Sequence, residues 1–170
     1  MDDTLYDDIY AREVVMARVG HLIRRKQQEI EKITRIIRAA FTGTGALAPE
    51  PARIIRIVLI GPYARRSWIE DRDTLDHADY EFWIVVNHPL FTDTALWEPV
   101  EAFIAREVGR RCAVSLTVYS RQDIRTARAT RDTYILDRLE AGITLYRAKR
   151  DAPLGRRERA MWQRRATRRG

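Results

Sequence analysis

Two short apolar runs limit what this chain can fold into. IIRIVLI (54–60) and DYEFWIVV (79–86) have the length and the β-branched and aromatic content of strands. The first reads as a central strand. It stops at Gly61-Pro62, and a polar, arginine-rich stretch leads to the second, whose mouth carries Asp79 and Glu81. Neither run approaches the roughly 20 apolar residues that cross a bilayer.

Helical spacing surrounds these strands. In residues 6–41 apolar side chains recur at Val15, Val19, Leu22 and Ile23, then at Ile30, Ile33, Ile36 and Ile37. That pattern predicts one helix or two, with RRKQQ (24–28) as a break or an exposed turn. TGTGALAPEPA (42–52) reads as a loop. GPYARRSW opens a short helix, with Pro62 suited to its first position. Residues 69–78 form a polar loop and 87–93 a turn. Residues 96–111 form an amphipathic helix with Pro99 near its start, followed by a strand, CAVSLTVYS (112–120). A short helix from Arg121 and another over residues 131–140 come next, with Gly142 as C-cap. ITLYR (143–147) is an edge strand. The expected fold is α+β: a short mixed sheet flanked by helices, with an N-terminal helical extension (1–42), a central domain (53–149) and an arginine-rich tail (150–170).

The 170 residues suffice for a real core. A single cysteine, Cys112, excludes an internal disulfide and a cysteine zinc cluster. The acidic start, MDDTLYDDIY, is unlike a secretory or transit leader. The expected location is the cytoplasm, with no membrane partner. Net charge is +7, unevenly spread: residues 1–9 carry −4 and residues 156–170 carry +6. A basic body suits polyanions such as nucleotides, RNA or phosphates. Only three of the basic residues are Lys, so a general preference for arginine explains the count equally well.

Asp79 and Glu81 lie two apart, so in a strand they share a face, with Tyr80 and Phe82 on the other. Two carboxylates side by side repel unless a cation lies between them. Mg²⁺ takes oxygen ligands, typically one or two carboxylates completed by substrate phosphates. The turn at 61–64 could offer backbone N–H groups to phosphate, and Arg65 and Arg66 could neutralise its charge. Alone, an Asp-x-Glu pair is weak evidence and more often marks a solvated strand end; its weight comes from the strand–Gly–helix before it.

Taken together, IGPYARRSW (60–68) and DYEFWIVV (79–86) resemble the nucleotidyltransferase domain of the polymerase-β type. The resemblance is to the minimal members paired with HEPN-domain proteins, which carry a GSYARG-x-W…SDYD pattern. VSLTVYS and DTYILDRLEAGITLYRA extend the likeness over roughly residues 54–149. It implies transfer of a nucleoside monophosphate from ATP or another NTP to a protein or RNA acceptor, with Mg²⁺ bound by Asp79 and Glu81. Gly61, Pro62, Tyr63, Arg65, Arg66 and Trp68 would lie along the nucleotide. It also implies a HEPN-type partner and a role as the antitoxin-type member of a toxin–antitoxin pair.

Three positions depart from the family's pattern. Pro62 stands where Ser is usual and lacks both hydroxyl and N–H. Arg66 replaces a small residue. The later strand, AVSLTVY, offers Ser115 and Thr117 where active members often carry a third carboxylate. The alternative is therefore a degenerate, non-catalytic module that binds a protein partner or RNA.

The remaining candidates are weaker. His21, His77 and His88 share no metal-ligand spacing. Cys112 and Trp83 read as core. Trp68, and Tyr63 less clearly, could wall the site. The tail, with Trp162 among arginines, could hold RNA by phosphate contact and stacking, or be a solvated terminus.

Overall fold

The computed structural model describes residues 3–40, 52–65, 79–109 and 113–148. A four-stranded mixed sheet lies between two helical layers. Its strands are β1 (Ile54–Ile60), β2 (Tyr80–Val86), β3 (Val114–Ser120) and β4 (Ile143–Arg147), in the order β3-β2-β1-β4. β1 is antiparallel to both neighbours, and β2 and β3 are parallel. IIRIVLI is central and ITLYR takes an edge, as expected, and DYEFWIVV fills the other central place. Both central strands are buried along nearly their whole length, so they must be covered on both faces.

One cover is built by α1 (Asp3–Arg18), α2 (Arg24–Ala40) and α3 (Thr94–Val108). Val15, Val19 and Leu22 of the α1 end, and Ile30, Ile33 and Ile37 of α2, share one core with Ile57, Leu59, Phe82 and Ile84 of the sheet. The N-terminal helices thus bury their apolar stripe on the sheet. The other cover is α4 (Arg121–Thr130) and α5 (Thr133–Ala141). Here Val58, Ile60, Trp83 and Leu139 form a smaller cluster, with Tyr119, Ile124 and Ile135 packed against it.

The N-terminal break falls at residues 19–23, not at RRKQQ. Gly20 is a poor helix residue, whereas Arg, Lys and Gln are good ones. RRKQQ opens α2, and the Gln27 amide donates to the Leu22 carbonyl at 2.6 Å, satisfying the turn. α3 begins earlier than residue 96: Asp93 caps it by accepting from the Ala95 N–H at 3.0 Å, and Pro99 lies inside it. α4 carries a capping box, Ser120 with Asp123. Gly142 caps α5 as expected. Its conformation is ordinary, but a Cβ there would meet Ile60 Cδ1 and Val58 Cγ1 at 2.5 Å, so close packing on β1 demands glycine. Among the described residues no helix is long and apolar enough to cross a membrane.

Candidate functional site

The register of β1 on β2 builds the site. Ile60, the last residue of β1, pairs with Glu81, so the turn that leaves β1 sits over the mouth of β2. Gly61 has φ 74° and ψ −154°, a region almost reserved for glycine. Its missing side chain is also a steric requirement. A Cβ on residue 61 would lie 2.8 Å from Glu81 Oε1 and 2.9 Å from its Cδ. The Glu81 carboxylate therefore rests on the glycine turn.

Pro62–Ala64 form a single 3-10 turn with Pro62 in its first position. The N–H of Ala64 donates to the Gly61 carbonyl at 3.2 Å, and that of Arg65 to the Pro62 carbonyl at 3.1 Å. With Pro62 lacking an N–H, three of the backbone positions that could cradle phosphate are committed or absent. The Arg65 side chain is exposed at the end of this turn and free to reach outward.

Asp79 is exposed and immediately precedes β2; the strand begins one residue later than the apolar pattern suggested. The Tyr80 N–H donates to the Ala113 carbonyl at 2.9 Å, fixing the strand mouth against β3. Glu81 is half-buried and shares its face with Trp83, on the α4–α5 side. Trp83 is core, with its ring 4.9 Å from Tyr119. On β3, Ser115 pairs with Glu81 and Thr117 with Trp83. The neighbouring strand thus places Ser115 opposite Glu81. Among the described residues no group of three or more His, Cys, Asp or Glu could hold a metal. A two-carboxylate set completed by substrate phosphates remains compatible with Mg²⁺.

Beneath the turn lies a polar network that the residue pattern did not reveal. Tyr63 is 2% exposed and stacks on Tyr80 with ring centroids 4.7 Å apart. Tyr63 thus supports the turn from inside and does not wall an open pocket. Lys26 is 1% exposed, and its Nζ lies 5.0 Å from each tyrosine ring and 3.5 Å from Glu29 Oε2. The Tyr80 hydroxyl donates a short hydrogen bond to the same oxygen, and Arg25 Nε donates to Oε1 at 2.9 Å. Burial pushes the Glu29 carboxyl up, but the Tyr80 hydroxyl, Arg25 and Lys26 outweigh it and hold the group below the usual carboxylate range. His21 Nε2 lies 2.9 Å from the Tyr63 carbonyl oxygen, so that histidine holds the turn. His88 caps a second 3-10 turn (Pro89–Thr92) through Nδ1.

The structure thus sets Glu81 against Gly61, with Pro62 and Arg65 on the same turn, Asp79 one residue before β2 and Tyr63 buried below. Arg66, Trp68, His77, Cys112 and the tail with Trp162 lie outside the described residues. Family models, curated proteins and solved structures yielded no match to the chain. The class defined by the described residues is an α+β domain with a paired-carboxylate strand mouth under a glycine turn.

Proposed function

We propose that this chain is a nucleotidyltransferase of the polymerase-β type, moving a nucleoside monophosphate from an NTP to a protein or RNA acceptor. The observation that carries this reading is the Glu81 carboxylate seated on Gly61, which sets an acidic strand mouth directly against a glycine turn. Asp79 and Glu81 would hold Mg²⁺, whose charge would neutralise the triphosphate and activate the attacking oxygen. Arg65 would balance phosphate charge by side chain, since its own N–H closes the turn. The acceptor hydroxyl gives up its proton to solvent as its oxygen attacks the α-phosphorus, the bond from that phosphorus to the α–β bridging oxygen breaks, and pyrophosphate leaves. By the resemblance of IGPYARRSW and DYEFWIVV, the partner is a HEPN-domain protein, and the role is that of the antitoxin-type member of the pair.

A second reading has its own support. Pro62, the committed N–H groups of Ala64 and Arg65, and Ser115 where a third acid would stand all weaken phosphate and metal binding. Loss of one such donor costs about 10²–10³ in rate. On this reading the domain kept the fold and became a binding module.

One experiment separates the two. Each of the four α-³²P NTPs is incubated with the protein, Mg²⁺ or Mn²⁺, total RNA and cell protein, beside an Asp79→Ala/Glu81→Ala control. The transferase reading expects label on RNA or protein that disappears in the control. A folded wild type that labels nothing above the control overturns it and leaves the binding module.

A further inference from the structure

At the opposite end of the sheet from Asp79 and Glu81, a cleft of about 920 Å³ opens between β1, β4 and the α4–α5 pair. Arg53, Arg56, Arg121, Arg125, Arg128 and Arg147 line it, with Glu140 as the one carboxylate among its described lining residues. We propose that this cleft binds a compact polyphosphate, of the size and charge of a nucleotide's phosphate chain, at a site separate from the carboxylates.

The clustering is built by the fold. Arg121, Arg125 and Arg128 follow the i, i+4, i+7 spacing that puts three side chains on one helix face. A stripe of this kind on a short surface helix would ordinarily face water. Here Ile124, from the same helix, packs on the Val58–Trp83 cluster, and the arginines border the cleft beside it. From the sheet, Arg56 and Arg147 are direct cross-strand partners. Like charges opposite each other on a sheet are destabilising. Arg56 is also fixed: Nε donates to Thr144 Oγ1 at 2.9 Å and Nη2 to the Leu139 carbonyl at 3.0 Å. A guanidinium held this way cannot swing out to escape its neighbours. Burial first, then the charges of Arg147, Arg128 and Arg18, pushes Arg56 below its ordinary value.

A fold that converges six arginines from the chain before β1, β1 itself, α4 and β4 gains stability from a multivalent anion. Phosphate oxygens match the planar fork of arginine in pairs. The volume falls within the usual 300–1,000 Å³ of small-ligand sites. It also suits a short polyphosphate better than the extended track along a nucleic-acid backbone. From Arg56 to Ile60 is four residues of β1, about 13 Å at strand rise, with the apolar cluster of Val58, Ile60 and Trp83 between. The site therefore does not depend on transfer chemistry at Gly61.

The test is calorimetric titration of the full chain with sodium tripolyphosphate, in EDTA at low salt, so that no metal supports binding at the carboxylates. We expect saturable binding that raises the melting temperature. Arg125→Gln/Arg128→Gln, two exposed changes compatible with folding, should weaken it at least tenfold, while Asp79→Ala/Glu81→Ala leaves it unchanged. Absence of binding, or binding indifferent to the α4 pair, overturns the proposal. So does equal binding of poly-glutamate, which would mark a site for acidic protein. A 20-nucleotide RNA whose binding needs Arg125 and Arg128 but is not displaced by tripolyphosphate would assign the cleft to nucleic acid instead.

Discussion

Gly61 is the residue on which the candidate site turns. Its backbone lies where other residues pay about 1–3 kcal/mol, and its open Cβ position is filled by the Glu81 carboxylate. Gly61→Ala should therefore lower stability by about 1–3 kcal/mol in denaturant melts. Because Glu81 Oε1 is the flexible end of a side chain, the methyl would also displace the carboxylate. In a cycle with Glu81→Ala, part of the loss should vanish; a fully additive pair would mean the two do not touch. Glu29 is the second such residue. It is the carboxylate nearest the buried Lys26 ammonium among the described residues. Lys26 is enclosed but Glu29 is only partly buried, so Glu29→Gln, which keeps an acceptor, should cost about 1–3 kcal/mol, the range for weakening a hydrogen bond to a charged group. The sign with pH follows from the depressed carboxyl. Its contribution is complete above the ordinary value of 4.5 and is lost as pH falls through the lower folded-state value. Melts should show a constant gap between wild type and Glu29→Gln at neutral pH that closes only below about pH 4.5. A gap that closes between neutrality and pH 5 would assign it to another group.

At the scale of elements, what was legible in the sequence was whatever local pattern decides. β1 and β2 announced themselves because largely apolar seven-residue runs bounded by Gly61-Pro62 and a polar stretch of sequence have few other solutions. The sequence suggests that the carboxylates face the turn; the Ile60–Glu81 register gives that geometry for Glu81. Polarity misled at RRKQQ. Lys26 is among the most buried side chains in the protein, and hydrophobic spacing carries no signal for a cation enclosed by two tyrosines and a glutamate. The arginine cleft was legible in part: the 121/125/128 spacing is in the sequence, but its meeting with Arg56 and Arg147 depends on pairing between strands nearly ninety residues apart. The α4–α5 junction offers a test of local reasoning. Arg131 ends α4 in the left-handed region at φ 54°, and its N–H reaches back to the Ala127 and Arg128 carbonyls. Glycine is the favoured residue there, and a side chain costs about 1–2 kcal/mol in that conformation. Arg131→Gly should raise stability by about 0.5–1 kcal/mol once glycine's greater unfolded freedom is subtracted. A loss of stability would show that the Arg131 side chain makes contacts worth more than the strain.

At the scale of the whole molecule, residues 1–42 look in sequence like an appendage to a strand-rich body. In the fold, residues 15–37 of this stretch supply one wall of the larger core. Val15, Val19, Leu22, Ile30, Ile33 and Ile37 are each at most 4% exposed, and they pack in the same cluster as Leu59, Phe82 and Ile84. The network under the candidate site also reaches into this wall: Lys26, Glu29 and His21 hold Tyr63 and Tyr80 from α2 and the turn before it. Burial of each large aliphatic side chain is worth about 1.5–3 kcal/mol. Six of them together match or exceed the 5–15 kcal/mol that ordinarily separates folded from unfolded. Deletion of residues 1–42 should therefore do more than remove a docking arm. The remaining chain, 43–170, should lose its cooperative thermal transition, bind a hydrophobic dye and lose any nucleotide-dependent signal along with its fold. A truncated chain that still melts cooperatively within a few degrees of the full protein would contradict a shared core. It would show instead that the sheet and α3–α5 stand alone, and that α1 and α2 are free to serve a partner.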